Sequence, residues 1–381
     1  MKIQFEKNPE QIELIKALAS ENKTVAMEAQ EAFAAFISDV VQQVLLQAGT
    51  ASMIYRDVEF DEDDSPSIPL DLYYGLNEGH ISVWSQTVGG GLPTNFVQGM
   101  QEMKVNTYRL DSAISMDKRY VRRARLDVVA AGLERMANEI LVKQERNAWA
   151  VILKLLAEAS TNGQKHVIKA GTADVFQMDD MNNVFTLVRR LNAAYTGGTP
   201  QALQSRGLTD LYVSPEIKAQ IRAFAYQPMN TRPGPQVVGS TLANYTATTA
   251  VALPDSVREE IYRAAGTNEI FGVTIHELLE LGTSRKYNDL FDTFAGTTAY
   301  TKLDGSDSGQ FTSSAQELLI GVDASRNAFL RPVAIQSETR GQVRVLPDDQ
   351  FLARSQKVGF YSYVEEGRVA VDARAAVGLI V

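Results

Sequence analysis

The first fifty residues carry apolar side chains at the spacing of two amphipathic helices. Asn8 followed by Pro9 predicts the start of the first helix, because an N-cap residue and a first-turn proline suit that position. The second helix is predicted from about Thr24 to Gln47. Its apolar face needs a partner, which is either the body of this protein or a neighbouring subunit. That face carries Phe33, Phe36, Ile37, Val40, Val41, Val44 and Leu45.

The helical pattern is lost between residues 51 and 100. Prolines and the run Gly89, Gly90 and Gly91 argue against a helix, and the stretch HISVWSQTV has the alternation of a β-strand. We therefore predict a long loop or hairpin, and loops of this length are usually functional or contact a partner. The three glycines are interpreted as hinge or turn residues, because neither a Lys-Ser or Lys-Thr pair nor a helix follows them, as a phosphate-binding loop would require.

A cluster of acidic residues lies at the start of this stretch. Hard cations such as calcium bind several oxygens, but the cluster lacks the spacing and the glycine of an EF-hand loop. A solvated or partner-facing run of charge is therefore the favoured interpretation. The cluster consists of Asp57, Glu59, Asp61, Glu62, Asp63 and Asp64.

A strand and then a very long amphipathic helix are predicted next. Met103, Val105 and Thr107 alternate as in a strand, and apolar residues recur every three or four positions from about Lys118 to Ala157. One helix of that length spans roughly 60 Å, which is too long for burial in a compact domain. Arginines at its start could contact nucleic acid or pair with acidic groups on a neighbour, such as the acidic cluster. These are Arg119, Arg122, Arg123 and Arg125.

The rest of the chain has the mixed pattern of an α+β protein. The stretch MDDMNNVFTLVRRLNAAY predicts a helix, with Asp179 and Asp180 in the first turn where the helix dipole favours them. The stretch DLYVSPEIKAQIRAF predicts a strand, then Ser214 as N-cap and Pro215 at the first helical position. Short β runs separated by turns, including a Glu-Glu-Gly turn, predict a strand-rich end.

Composition narrows the class of protein. The chain has 381 residues, 45% of them hydrophobic, which is enough for a large core and for two or more domains. It has no cysteine, so disulfides, thiolate metal sites and a cysteine nucleophile are excluded. The net charge of −9 disfavours a general nucleic-acid binder, although a local basic patch stays open. No stretch has the length of a signal peptide core or a membrane span, so we expect a soluble, non-secreted protein without membrane contact.

One stretch, GVTIHELLEL, resembles a catalytic motif. In the zinc-peptidase pattern H-E-x-x-H two histidines face one metal, but here Glu280 replaces the second, and the chain has only His80, His166 and His276. The β-branched residues before the motif predict a strand. No nucleophile elbow, Walker loop or dinucleotide fingerprint occurs, so we expect no catalytic residue, cofactor or metal. A metal-dependent hydrolase using His276, Glu277 and Glu280 is kept as a minor alternative.

Three stretches together have a familiar order: VNTYRLDSAISMDKRYVRRARLDVVAAGLERMANEILVKQERNAW, LYVSPEIKAQIRAF and VGFYSYVEEGRVAVDARAAVGLIV. Over essentially the whole chain this order resembles the major capsid proteins of tailed bacteriophages, which have the Hong Kong 97-type fold. The resemblance implies an α+β capsid fold divided along the chain as follows: an N-terminal arm (1–52), an extended loop (53–100), a peripheral domain with a spine helix (101–190), a mainly axial domain (191–330) and a C-terminal β-rich segment shared by both domains (331–381).

The resemblance also implies a structural, non-enzymatic function. The chain would self-assemble through pentamers and hexamers into the icosahedral shell of a virion, inside the host cytoplasm, and enclose double-stranded DNA without sequence specificity. A portal, possible decoration protein and separate scaffolding protein would be its partners, the last because the chain begins about fifty residues before the loop. An encapsulin-like protein nanocompartment is the alternative.

Particular residues acquire roles from this resemblance. The acidic cluster, the four arginines, Phe33 and Phe36 are candidates for contacts between subunits, and Gly89 to Gly91 for a loop hinge. His276 would lie in an axial-domain strand and be structural or exposed. No lysine occurs between Lys23 and Lys104, so covalent cross-links through a loop lysine, which some members of the family form, are not expected.

Overall fold

The computed structural model describes residues 9–18, 20, 22–61, 64–69, 102–123, 126–161, 163–195, 207–223, 269–270, 272–335, 342–348 and 357–381. The chain divides into two compact units. Unit 1 comprises Met1–Val151 and Asn327–Asp372, and unit 2 comprises Ile152–Arg326 and Ala373–Val381. Both contain helices and sheets, which confirms the predicted α+β class.

The described helices and strands are numbered in chain order. The helices are α1 (Pro9–Leu18), α2 (Lys23–Ala48), α3 (Lys118–Arg122), α4 (Leu126–Glu158), α5 (Met178–Tyr195), α6 (Pro215–Ala223) and α7 (Lys286–Ala295). The strands are β1 (Arg56–Asp61), β2 (Ser67–Pro69), β3 (Glu102–Lys104), β4 (Tyr108–Asp117), β5 (Ser160–Thr161), β6 (Gln164–Lys165), β7 (Val167–Lys169), β8 (Asp210–Val213), β9 (Glu269–Ile270), β10 (Val273–Glu277), β11 (Ala299–Tyr300), β12 (Gly309–Gln310), β13 (Leu318–Val322), β14 (Phe329–Ile335), β15 (Arg344–Asp348), β16 (Lys357–Glu366), β17 (Val369–Ala370) and β18 (Ala376–Ile380).

The main sheet of unit 1 has six described strands. In it β1, β14, β16 and β15 are neighbours in that order, β4 pairs with β16 and β17 pairs with β14. β4 and β16 run antiparallel over their full length, from Tyr108 opposite Glu366 to Asp117 opposite Lys357. β1 runs parallel to β14. The sheet therefore joins the early part of the chain to its last sixth.

The N-terminal helices pack on this sheet. The rings of Phe33 on α2 and Phe360 on β16 are 5.4 Å apart, and the Ser38 hydroxyl donates to the Val343 carbonyl over 2.6 Å. The apolar face predicted for α2 thus finds a partner in the body of its own chain. Side chains of this core include Ala29, Phe33, Ile37 and Val41 from α2 and Leu133, Met136 and Ile140 from α4. The side chains of Val40, Val44 and Leu45 lie outside the described residues.

Unit 2 has its own sheet and core. Its strands are ordered β7, β18, β13, β8, β10 and β9, and α5 and α6 contribute apolar residues to the core beside them. The predicted strand and helix around Ser214 are confirmed. The Ser214 hydroxyl accepts from the Ile217 backbone N–H over 3.1 Å, as an N-cap does. The stretch GVTIHELLEL contains β10, so its predicted strand is also confirmed.

The structure corrects the single long helix predicted from Lys118 to Ala157. α3 ends after one turn, and its C-cap Arg123 has left helical geometry, with φ −82° and ψ 3°. α4 then begins at Leu126 and has 33 residues, a length of about 50 Å. Neither proline nor glycine marks this end of α3 in the sequence, so the apolar periodicity gave no sign of it. The boundary between the two units falls inside α4.

The stretch predicted to be a loop or hairpin begins with regular structure. Residues 51–53 form a short 3₁₀ turn, β1 belongs to the main sheet of unit 1, and β2 pairs antiparallel with β3. The loop predicted from residue 53 therefore starts later than expected, because the acidic strand β1 finds a parallel partner far along the chain. The segment HISVWSQTV and Gly89, Gly90 and Gly91 lie outside the described residues.

Candidate functional site

The arginine cluster lies on and just after α3. The Asp117 side chain accepts from the Arg119 backbone N–H over 2.9 Å and so begins this helix. Arg119 and Arg123 are both exposed, and neither guanidinium has a partner among the described residues. The side chain of Arg122, and Arg125 as a whole, lie outside those residues. This end of α3 therefore presents at least two positive charges to its surroundings.

The acidic cluster divides into structural and exposed members. Asp57, Glu59 and Asp61 share one face of β1, because alternate residues of a strand point the same way. The Asp57 carboxylate accepts from Arg331 Nη1 over 3.4 Å, and this ion pair links β1 to β14 in the same sheet. Glu59 and Asp61 are exposed and have no side-chain partner in the described part of the chain. Asp64 is exposed as well and accepts from the Ser65 backbone N–H, whereas Glu62 and Asp63 lie outside the described residues.

A buried carboxylate, that of Glu366, lies next to β14, and its burial could not be inferred from the sequence pattern. Glu366 is fully buried and accepts from Arg331 Nε at 2.7 Å, from Arg368 Nη2 at 3.2 Å, from Gln144 Nε2 at 3.2 Å and from the Tyr108 hydroxyl at 2.8 Å. Buried charge is tolerated only when it is paired and hydrogen-bonded in this way. These contacts hold β4, β14, β16 and α4 together next to β1.

Burial near Glu366 and Arg368 raises the pKa of two tyrosines, Tyr108 and Tyr55. Burial, and then the nearby Glu366 carboxylate, raise the pKa of Tyr108 to about 12. Burial also raises the pKa of Tyr55 well above its usual value, with Arg368 opposing the shift. The Arg368 guanidinium lies over the Tyr55 ring, 4.8 Å from its centroid, a cation–π contact. Both tyrosines stay neutral and act as packing and hydrogen-bonding groups.

On the face of the unit 1 sheet opposite to Glu366, arginine side chains alternate with tyrosine rings. Arg109 lies over the Tyr363 ring, 3.7 Å from its centroid, and its Nε is 2.8 Å from Asp111. The Tyr361 hydroxyl donates to the same carboxylate over 2.5 Å. This hydrogen bond and that from Arg109 lower the pKa of Asp111 against a smaller opposing effect of burial. Arg344 Nη1 donates to the Tyr363 hydroxyl over 2.7 Å.

Several large apolar side chains of unit 1 are exposed. On α2, Val25 is 41% and Phe36 42% exposed, and their spacing of three helical turns puts them on one side of the helix. Phe33 differs, since it is buried in its own core. Tyr120 on α3 and Val142 on α4 are exposed too. Exposed apolar and aromatic residues are typical of surfaces that contact another protein.

In unit 2, His276 makes a structural contact. Its Nε2 is 2.9 Å from Asp210 on the neighbouring strand β8, and its ring stacks on Tyr212 at 4.9 Å. Burial favours a higher pKa for Asp210, but the hydrogen bonds from His276 and Thr209 outweigh it and hold the pKa below its usual value. The histidine is half-buried, and its partner Asp210 belongs to the same sheet. This agrees with the structural role expected for it.

The residues of the alternative metal site point in different directions. His276 and Glu277 are consecutive on β10 and so lie on opposite faces of the sheet, where Glu277 pairs with Lys218 at 3.0 Å. Glu280 lies in the turn that follows. Among the described residues no group of three or more histidine, aspartate or glutamate side chains is placed to bind a metal ion. His166 is buried, its Nδ1 3.0 Å from the Ala376 carbonyl, and His80 lies outside the described residues.

Searches with this chain found neither a matching family model nor a curated protein with a matching sequence. Solved structures are similar at low identity. The capsid of the cyanophage P-SCSP1u has a TM-score of 0.46 and 13% identity, with 86% of each chain covered. The capsid of an empty GTA particle has a TM-score of 0.45 and 14% identity, with 87% of this chain and 89% of that chain covered. A virus-like particle from Pyrococcus furiosus has a TM-score of 0.41 and 11% identity, with 91% and 99% covered. At these values we base the functional proposal on the contacts of this chain itself.

Proposed function

We propose that this chain is the major capsid protein of a tailed bacteriophage, a structural protein that assembles with copies of itself. The observation that carries the proposal is the pair of opposite charge sets exposed on unit 1. Arg119 and Arg123 on one side and Glu59 and Asp61 on the other have no partner in the described part of their own chain. Contact between copies would satisfy both sets at once, and each copy would offer both.

The strength of such contacts comes from repetition. An exposed ion pair is individually weak and is screened by salt, so charge alone does not hold two copies together. The exposed apolar residues of the same unit, Val25, Phe36, Tyr120 and Val142, supply area that is released from water on contact. In a closed shell every copy repeats these contacts, and weak interfaces then give a stable particle.

The chain segments receive roles in this proposal. Residues 1–52 are the N-terminal arm, and the extended loop lies within 53–100, after β1. Residues 101–190 are the peripheral domain with α4 as its spine helix, and 191–330 are mainly the axial domain, with 331–381 shared by the two domains. The copies form pentamers and hexamers of an icosahedral shell in the virion, after assembly in the host cytoplasm.

Other partners follow from the same proposal. The shell encloses double-stranded DNA, held without sequence specificity, and has a portal, a separate scaffolding protein and possible decoration proteins as partners. No enzymatic activity, cofactor or membrane contact is part of this function, and among the described helices none is long and apolar enough to cross a bilayer.

Charge reversal tests the proposal. We expect the purified chain, expressed with candidate scaffolding protein, to form closed shells, tubes or capsomer rings in negative-stain electron microscopy. Arg119→Glu with Arg123→Glu should reduce the assembled fraction at least tenfold, because both charge sets would then be negative. Adding Glu59→Lys and Asp61→Lys should restore assembly, since the opposite pairing returns. High salt should weaken assembly of the wild-type chain in the same direction.

Arg135→Glu with Lys143→Glu is the matched control, since it reverses two exposed basic residues of α4 in the same unit. It should leave assembly near the wild-type level. Monomers or small oligomers of the wild-type chain under all conditions would count against a shell protein. Particles that hold a protein cargo instead of nuclease-resistant DNA would identify an encapsulin-like nanocompartment.

A further inference from the structure

Among the strands that the structure describes, β4 forms an edge of the unit 1 sheet. β4 pairs with β16 over ten consecutive residues on one side, and no described strand pairs with its other side. In an antiparallel strand every second residue directs its backbone N–H and C=O away from the partner. The outer edge of β4 therefore presents a row of hydrogen-bonding groups that fits another strand.

This edge lacks the features with which proteins protect open strands. Such edges are usually short, bulged, or interrupted by proline and lysine. β4 is ten residues long, contains neither proline nor lysine, and pairs with β16 without skipping a residue. Of its three charged residues, Arg109 and Asp111 are 2.8 Å from each other, and Asp117 is the N-cap of α3. Between Asp111 and Asp117 the exposed face carries only the small residues Ala113 and Ser115.

We propose that β4 pairs antiparallel with β4 of a second copy of this chain, about a two-fold axis at Ala113. Alignment of Ala113 with itself sets Arg109 opposite Asp117 of the second copy, and Asp117 opposite its Arg109. Opposite charges directly across a strand pair are stabilising. Centring the pair on Asp111 or Ile114 would instead set aspartates against each other, and centring it on Ser112 would leave Arg109 opposite Ser115.

The other face of β4 supports the same alignment. Leu110 and Ile114 are only half-buried in one copy. With Ala113 on the axis, Leu110 comes opposite Met116 of the second copy and Ile114 opposite its Ser112, so the apolar layer beneath the sheet continues from copy to copy. Because the axis is perpendicular to the sheet, the packed faces of both copies lie on the same side and their helices do not have to cross it.

This contact rests on the proposed self-assembly and specifies one part of it: a continuous sheet across a two-fold axis between copies. It is separate from the charge contact of Arg119 and Arg123, which joins different surfaces. The two can therefore succeed or fail independently.

A single cysteine tests the contact cleanly, since the chain has no cysteine of its own. Facing residues of an antiparallel pair have Cα atoms about 4.5–5.5 Å apart, within the range of a disulfide. We expect Ala113→Cys to give a cross-linked dimer on a non-reducing gel after oxidation or treatment with the shortest bis-maleimide. Ser115→Cys is the matched control. In this alignment its two copies lie about 14 Å apart along the strands and should not cross-link.

Electron microscopy of the same samples separates the two proposals. Shells with an Ala113→Cys dimer and no Ser115→Cys dimer would support the strand pairing. Shells in which Ala113→Cys gives no dimer, or in which both variants cross-link equally, would overturn it and leave the capsid proposal intact. An Ala113→Cys dimer without any shells would keep the strand contact and count against the capsid.

Discussion

Glu366 illustrates what a single residue contributes to this fold. In the sequence it belongs to a Glu-Glu-Gly stretch that predicts a turn, but in the structure it is the last residue of β16 and is fully buried. Its carboxylate accepts from Arg331 and Arg368 and from two neutral donors. Since removal of one partner from a buried ion pair leaves an uncompensated charge, this residue should matter more to stability than its exposed acidic neighbours.

We therefore predict that Glu366→Gln lowers the free energy of unfolding of unit 1 by about 3–5 kcal/mol. Arg368 would lose the carboxylate that neutralises it, and Arg331 would keep only its longer contact with Asp57 at 3.4 Å. Urea unfolding, followed by hydrogen exchange of the β4 and β16 amides, measures this loss. The control is Glu365→Gln. Glu365 is half-buried and accepts from Thr107, so its loss should be below about 1.5 kcal/mol. Equal effects of the two changes would contradict the prediction.

At the scale of elements, the sequence predicts features that depend on neighbouring residues, but not those that depend on distant segments of the chain. Capping by Ser214 follows from the sequence and occurs in the structure. The end of α3 and the pairing of β1 with β14 do not follow from it, because the first has no proline or glycine signal and the second joins distant segments. Close packing between strands adds a further constraint at β13, where Gly321 lies between Leu208 and Val377.

Gly321→Ala should destabilise unit 2 by about 1–3 kcal/mol, as overpacking of a core does. A methyl group there would lie 2.6 Å from Leu208 Cδ1 and 3.0 Å from Val377 Cγ2, both in the core of that unit. Gly207→Ala is the control, since nothing lies within 4 Å of its added methyl. Thermal unfolding of both variants measures the difference, and a Gly321→Ala protein as stable as the Gly207→Ala protein would show that the β13 surroundings can relax.

At the scale of the whole molecule, the chain has two separate cores and exposes charge and apolar area beyond them. In unit 1 the helix α2 packs on the main sheet, and in unit 2 α5 and α6 pack beside another sheet. Unit 1 exposes the charged residues Arg119, Arg123, Glu59 and Asp61 and several apolar side chains. In the proposed function these side chains form the contacts between copies.

The proposed shell should be held by non-covalent contacts in its extended loop. With no lysine between Lys23 and Lys104, that segment has no amine to form an isopeptide bond with a neighbouring subunit. We expect mature particles boiled in detergent to migrate as single chains of about 42 kDa on a denaturing gel. A ladder of linked subunits that survives boiling would contradict this.

The sequence by itself determined the features that depend on neighbouring residues. Apolar spacing gave α1, α2, α5 and most of α4, turn and cap residues gave the start of α6, and the run before His276 gave β10. The absence of cysteine excluded disulfides, thiolate metal sites and a cysteine nucleophile, and the replaced second histidine of the H-E-x-x-H pattern argued against a zinc-peptidase site. The sequence also indicated the α+β class.

Only the tertiary structure decided which residues far apart in the chain meet. It made Asp57 a partner of Arg331, buried Glu366 and placed Phe33 in the core while Phe36 stayed exposed. It also left one edge of β4 without a partner among the described strands. The physical reason is that burial and strand pairing depend on contacts between distant segments, whereas periodicity and capping act over one or two turns. An acidic residue on a strand is therefore available to a partner when it faces solvent, as Glu59 and Asp61 do, whereas it is part of the fold when a distant arginine pairs with it, as Arg331 does with Asp57.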